Sequence, residues 1–508
     1  MLLKSTIQVT FFSFLGIIIG FFTQLVVAFY FGATFQRDAY FAAAVIPTYL
    51  TTLLTGSIGV IFMSSYIRCQ THKTKEEINL FTSRVLNICG ILLISIVIMG
   101  IVFSQDLVSI VIPGFKNDQI LFTSKLIKIL LPTIFFLVLS NLLSTIYQAN
   151  NRFFLPSITP VLGVIISLLI VFFWSKKIGI VSLAYGTLAS SIFNFSVLTQ
   201  IVFKNKLYRF SLIFEKDIIK MFKIASPLLI VGIFYRSTNI FERMIASTLE
   251  RGSISYLGYA NQLVNILSTI VSGGIATTIF PKMSKEWELN NLDATRKYFA
   301  KGMRIVLFVT VPIAIIFICL GDSIVRILFE RGAFDVNATK AVNNCLSLMM
   351  IAFICLSCGN IVGRAFYISR RTKICAVIAS SEILVYLLLG YYLSLNFSYL
   401  GLAVALSIST LYNIIVSIFI LNKIFKGLDG NKLVLDIIRI IVASILTGLI
   451  IYLFNDIILG SLTELFRTGL SIGFGLLCYI LVTVYLLPIE EAVNVKDGTI
   501  MFIKNKII

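Results

Sequence analysis

"LAYGTLASSIFN", Leu183–Asn194, returns 219 residues later as "LAVALSISTLYN", Leu402–Asn413, with the same spacing from Leu-Ala to Asn. Two further pairs recur at nearly the same offset, 217 and 219 residues. "TGSIGVIF" from Thr55 answers "SGGIATTIF" from Ser272, and "TIYQANNRF" from Thr145 answers "RAFYISRRTK" from Arg364. A period this long in a chain of 508 residues means one structural unit present twice.

Composition says what the unit is made of. With 58% hydrophobic and 13% charged residues, and a mean hydropathy of +0.98, the chain would aggregate in water. Apolar runs of about 20 residues, enough to cross roughly 30 Å of hydrocarbon, recur throughout. They are continuous rather than alternating, which specifies helices and excludes a barrel. Polar, Gly, Pro and charged punctuation divides the chain into fourteen spans, among them 6–31, 39–66, 121–148, 218–241, 254–281, 374–394 and 399–422. Six spans precede the second copy. The expected fold is therefore all-α and polytopic: an N-lobe over 1–203, a C-lobe over 204–424 after a basic cytoplasmic linker, and an appended helix pair and tail over 425–508. Six being even, the copies share an orientation and form a parallel repeat. Lobes of this kind would enclose a cavity and open it to alternate sides, so the repeat argues for transport before any motif is considered.

The charge of +19 is read through the positive-inside rule rather than as a nucleic-acid surface, and it places both termini in the cytoplasm. The first span is too long for a secretory signal, and no cleavage pattern follows it. The eight cysteines lie mostly in apolar runs and read as inert thiols, Cys355 and Cys358 included. With one histidine, His72, a zinc site lacks material. No metal and no cofactor are expected. The longest outer loop, near 105–120, is too short for a catalytic cluster, so an enzyme is not expected either. The GxxxG pairs Gly16–Gly20 and Gly469–Gly473 read as close packing points. Pro47, Pro132, Pro227 and Pro312 interrupt their spans.

Charges inside spans cost several kcal/mol unless they face a partner or a polar cavity. In the seventh span, "SPLLIVGIFYRSTNIFERM", Arg236, Asn239 and Arg243 fall on one helical stripe. Two guanidiniums there suit an anionic head group, while pairing with an acid on a neighbouring helix is the plainer reading. Glu242 and Glu382 are the acids inside spans or near their ends, suited to carry a proton, bind Na⁺ or form an ion pair. Arg37 and Asp38 open the second span, where Asp38 reads first as the cap of its own helix.

Taken together, "FGATFQRDAYFAAAVIP", "QANNRFFLPSITP", "ASTLERGSISYLGYANQL", "IFPKMSK" and "YISRRTK" resemble the MurJ (MviN) branch of the multidrug/oligosaccharidyl-lipid/polysaccharide (MOP) exporter superfamily. The likeness runs in order along most of the chain. It implies fourteen helices and a flippase for undecaprenyl-diphosphate-linked glycans in the bacterial inner membrane, with lipid II as the best-known cargo. It also implies a cationic central cavity and a groove at the last two helices for the lipid tail. The family pattern places arginines in helices 1, 2 and 8. This sequence has no Lys or Arg between Lys4 and Arg37 or between Arg37 and Arg68, and carries Gln262 where "YANQL" would supply the helix 8 arginine.

The expectation is a monomeric flippase working by alternating access on a polyprenyl-diphosphate-linked glycan, with membrane lipid as its other partner and no nucleic acid. The expected substrate contacts are Arg236, Arg243, Asn239, Asp38, Gln24 and Gln262. Coupling falls to Na⁺ or H⁺ at Glu242 or Glu382, or to the membrane potential. Cargo stays open between lipid II and an O-antigen or exopolysaccharide unit of a Wzx-like flippase. A cation-coupled, MATE-like drug exporter is the remaining alternative.

Overall fold

A computed structural model describes residues 2–204, 208–213, 215–235, 237–428, 430–455 and 463–489. The described residues are helical almost throughout: α1 (Leu2–Phe31), α2 (Phe35–Leu54), a π-helical turn (Thr55–Gly59), α3 (Val60–His72), α4 (Lys75–Val102), α5 (Ser104–Val111), α6 (Asn117–Leu130), α7 (Pro132–Ala149), α8 (Phe154–Ile178), α9 (Val181–Leu198), α10 (Gln200–Lys204), α11 (Lys216–Tyr235), α12 (Thr238–Ser247), α13 (Ser253–Glu288), α14 (Leu292–Phe329), α15 (Val336–Ile368), α16 (Thr372–Ile424), α17 (Gly430–Leu453) and α18 (Glu464–Leu481). Among these residues eleven helices are long and apolar enough to cross a membrane, or twelve if the two arms of α13, bent by 49°, count as one span. Fourteen spans remain the sequence reading. Two of them, 374–394 and 399–422, lie within α16 on either side of Ser398, whose φ of 51° breaks the helix.

The chain forms two compact units, Met1–Ser255 with Arg331–Asp335, and Tyr256–Glu330 with Val336–Ile508. The packing boundary thus falls at Ser255 rather than at residue 203. α11 and α12, expected to begin the C-lobe, pack with the first unit. Compactness and sequence repetition are different criteria, and the repeat boundary is a statement about the second only.

In the first unit, Val27, Phe62, Phe81, Val85, Leu126, Ile134 and Leu142 form a sealed core. The opening motif explains itself here: a Cβ on Gly186 of α9 would lie 2.8 Å from Ser167 Oγ of α8, and one on Gly163 of α8 would lie 2.5 Å from Ser190 Oγ of α9. Small residues bring the two helices together, as lipid-embedded packing requires in the absence of a hydrophobic drive. Its repeat does the same in the second unit, where Ala403 and Ala405 are fully buried and Ser407 Oγ donates to the Leu348 carbonyl of α15 at 2.6 Å. Of the GxxxG glycines only Gly16 meets another helix, a Cβ there lying 3.5 Å from Val161 of α8, whereas one at Gly20, Gly469 or Gly473 would meet nothing within 4 Å. α17 and α18 dock on α14 and on each other through Gly448, against Ile315, and Gly475, against Ile451. Buried Arg304 lies 3.6 Å from buried Asp436 across α14 and α17. Many exposed side chains are apolar, Phe173, Leu388 and Leu477 among them, as expected for surfaces that face lipid.

Pro132 starts a helix instead of bending one, because the span expected at 121–148 is α6 and α7 meeting at Leu131. At the end of the first unit where α1 meets α2, Gly32 and Gly332 have φ of +53° and +65°, and a Cβ on either would lie 2.0–2.3 Å from a backbone carbonyl. That leaves room for the Ala333 N–H to reach the Phe29 carbonyl at 2.9 Å.

Candidate functional site

The sequence-predicted charges of the first unit gather where the N-terminal turns of α2 and α13 meet α12. Arg37 and Asp38 are neighbours on α2 and so project about 100° apart. Arg37, 1% exposed, donates from Nη2 to Gln24 Oε1 of α1 at 2.7 Å. Its guanidinium stands 4.0 Å from the centroid of the Phe41 ring, one turn along α2. Arg243 of α12 approaches the same ring at 5.2 Å, within reach of a cation–π contact. Arg243 Nη1 donates to the Ile254 carbonyl at 2.7 Å and lies 3.4 Å from Glu242 Oε1.

Asp38 is not the cap of its own helix. Thr34 holds the N-cap position of α2, and the Asp38 N–H already bonds to the Thr34 carbonyl at 3.1 Å. The carboxylate instead closes the start of α13: Oδ2 accepts from the Gly252 N–H at 2.7 Å, and Oδ1 accepts from the Ser255 N–H at 2.8 Å and Ser255 Oγ at 2.6 Å. An acid satisfies the orphan amides at a helix start and complements its dipole. Both oxygens are occupied by this cap, so in this arrangement Asp38 holds α2 to α13. Arg37, Asp38, Glu242 and Arg243 are all buried, and their formal charges sum to zero.

Of the expected Arg236–Asn239–Arg243 stripe, two members are described. Arg236 lies outside the described residues, α11 ends at Tyr235 and α12 begins at Thr238. Asn239 is exposed while Arg243 is buried. Gln24 joins the cluster as acceptor for Arg37, and Arg37 itself is the member that sequence reasoning left out. Its signal was present: it is the one cation between Lys4 and Arg68, but its neighbour Asp38 offered a simpler reason for charge at that point.

The other predicted residues lie in the second unit. Gln262, half-buried on α13, has an Oε1 atom without a hydrogen-bond partner among the described residues, an acceptor suited to a sugar hydroxyl. Glu382 on α16 accepts from Asn413 Nδ2 at 2.6 Å, and Ser417 Oγ reaches Asn413 Oδ1 at 3.3 Å. No Lys or Arg pairs with Glu382 among the described residues. No cluster of three metal-ligating side chains occurs among them either.

The fold and its eleven or twelve candidate membrane spans define a polytopic, all-α membrane protein. A solved structure titled lipid II flippase MurJ, inward closed conformation, superposes with a TM-score of 0.82 over 94% of this chain and 98% of that one at 24% identity. An inward-facing multidrug MATE transporter of the MOP superfamily gives 0.68 over 80% and 95% at 13% identity. The family model for lipid II flippase MurJ matches residues 15–471, and the chain belongs to that family. Among curated relatives, the probable lipid II flippase MurJ of Buchnera aphidicola subsp. Schizaphis graminum is 29% identical over 85% of both chains. The lipid II flippase MurJ of Thermosipho africanus is 25% identical over 85% of this chain and 90% of its own.

Proposed function

We propose that this protein flips an undecaprenyl-diphosphate-linked glycan, lipid II, across the bacterial inner membrane by alternating access, without catalysing a covalent step. The observation that carries the reading is the lipid II flippase family match over residues 15–471. Arg243 and Arg37 carry the guanidinium forks that suit diphosphate oxygens, becoming available once the acids that balance them here, Glu242 beside Arg243 among them, give way. Gln24, beside Arg37, hydrogen-bonds the sugar. The polyprenyl chain stays in lipid beside α17 and α18. Asp38 acts by holding the start of α13 to α2 in one state of the cycle and releasing it in the other.

Expression in a strain depleted of its own lipid II flippase tests the cargo. Growth is expected to be restored. Well-expressed protein that fails to restore it makes lipid II the wrong cargo and favours a surface-polysaccharide unit, the reading that Gln262 in place of an arginine supports.

Glu382 is the proposed coupling residue, because it is an acid within the span read at 374–394 with an amide rather than a cation as its partner. Glu382→Gln keeps an oxygen for Asn413. It is expected to leave folding intact and to remove the response of transport to an imposed Na⁺ or H⁺ gradient in proteoliposomes. An unchanged response assigns coupling elsewhere.

A further inference from the structure

Residues 208–213 and 215, which precede α11, form a strap held to α4, all within the first unit. Tyr208 Oη donates to Asn87 Oδ1 at 2.7 Å, and the Arg209 N–H donates to Ser83 Oγ at 3.0 Å. Asn87 Nδ2 donates to the Ser211 carbonyl at 3.1 Å, Arg84 Nε to Ser211 Oγ at 3.0 Å, and Arg84 Nη1 pairs with Glu215. Asp217, at the start of α11, takes Lys73 Nζ at 2.5 Å and Arg68 Nη2 at 3.6 Å. The hydrogen bond to Asp217 holds the Lys73 ammonium above its ordinary pKa, burial opposing it.

The two acids of the strap are therefore committed to cations of the first unit. What points outward has one chemistry. Phe210, Ile213 and Ile219 are 72%, 60% and 53% exposed, and Arg209, Lys220 and Lys223 are exposed beside them. On α11, Ile218, Met221 and Ala225 face inward, which puts Ile219, Lys220 and Lys223 on the opposite side. Height is fixed too. Ser83, Arg84 and Asn87 are where the polar first turns of α4 give way to its apolar run, the level at which hydrocarbon meets head groups. Apolar and aromatic side chains mixed with cations at that level match an anionic lipid surface.

We propose that residues 208–213 and 215–223 are an anchor for anionic phospholipid: Phe210, Ile213 and Ile219 enter the acyl boundary, and Arg209, Lys220 and Lys223 bind lipid phosphates. The inference does not depend on the cargo. Because the strap is bolted to α4 and leads into α11, bound lipid would steady the start of α11.

The test places a tryptophan probe, Phe210→Trp, in the full chain with Trp174→Phe and Trp287→Phe, reconstituted in phosphatidylglycerol–phosphatidylcholine vesicles. Phosphatidylglycerol brominated high on its acyl chains is expected to quench position 210 more strongly than equally brominated phosphatidylcholine at the same mole fraction. Changing Arg209, Lys220 and Lys223 to Gln is expected to reduce that preference, by roughly fivefold or less per cation. Quenching by aqueous iodide but not by bromolipid, or bromolipid quenching without preference for the anionic lipid, overturns the proposal. The former would leave the strap free for a soluble partner. Should the probe variant fail to fold, the Arg209→Gln/Lys220→Gln/Lys223→Gln chain with native tryptophans serves. Its co-purified lipid, measured by native mass spectrometry, is expected to be depleted several-fold in phosphatidylglycerol, and an unchanged lipid profile also overturns the proposal.

Discussion

Asp38→Ala is expected to abolish rescue of a flippase-depleted strain and to lower the unfolding temperature of the purified protein. The substitution removes acceptors for two backbone amides and one hydroxyl, and hydrogen bonds to a charged group contribute about 1.5–3 kcal/mol each. It also leaves the buried Arg37 and Arg243 with one acid fewer. Water entering the vacated space recovers part of the loss, so a net cost of about 3–5 kcal/mol is expected, in the range for breaking a buried ionic group. Asp38→Asn keeps an acceptor oxygen but loses the charge that favours a helix start, and should fall between wild type and Ala on both measurements. Rescue and unfolding temperature both unchanged in Asp38→Ala would show that the cap holds nothing that transport requires.

The second large effect is expected at Arg37. Arg37→Ala strips Gln24 of its donor and the Phe41 ring of its nearer cation, and leaves Asp38 and Glu242 facing Arg243 alone. Removing one member of a buried ionic group costs about 3–5 kcal/mol, so rescue should fail. Arg37→Lys separates two roles. It restores the charge but not the planar fork that spans Gln24 and stacks on Phe41. Restored stability without restored transport assigns Arg37 to phosphate recognition, whereas recovery of both assigns it to charge balance. Growth on Arg37→Ala, with expression verified by immunoblot, would remove Arg37 from the mechanism.

Much of this was legible in one dimension. The membrane environment and the helical class follow from hydropathy, and the "LAYGTLASSIFN" pair marked two real small-residue faces. In the seventh span Asn239 is exposed and Arg243 buried, because helical spacing alone does not say which positions a neighbouring helix will cover. Of the GxxxG glycines only Gly16 faces another helix, because spacing identifies a close-packing surface only where a neighbour comes to occupy it.

The sequence alone determined that this chain is a multi-pass helical protein with an internal repeat and a family likeness, because apolar run length, charge placement and motif order are properties of the chain itself. Only the tertiary structure decided what its polar residues do. Asp38 caps a helix that starts more than two hundred residues away, with its Ser255 contact 217 positions distant. Arg37 and Arg243 share one aromatic ring across a separation that no periodicity encodes. A buried charge takes whichever partner folding brings within about 3 Å, and distance along the chain carries no information about that choice.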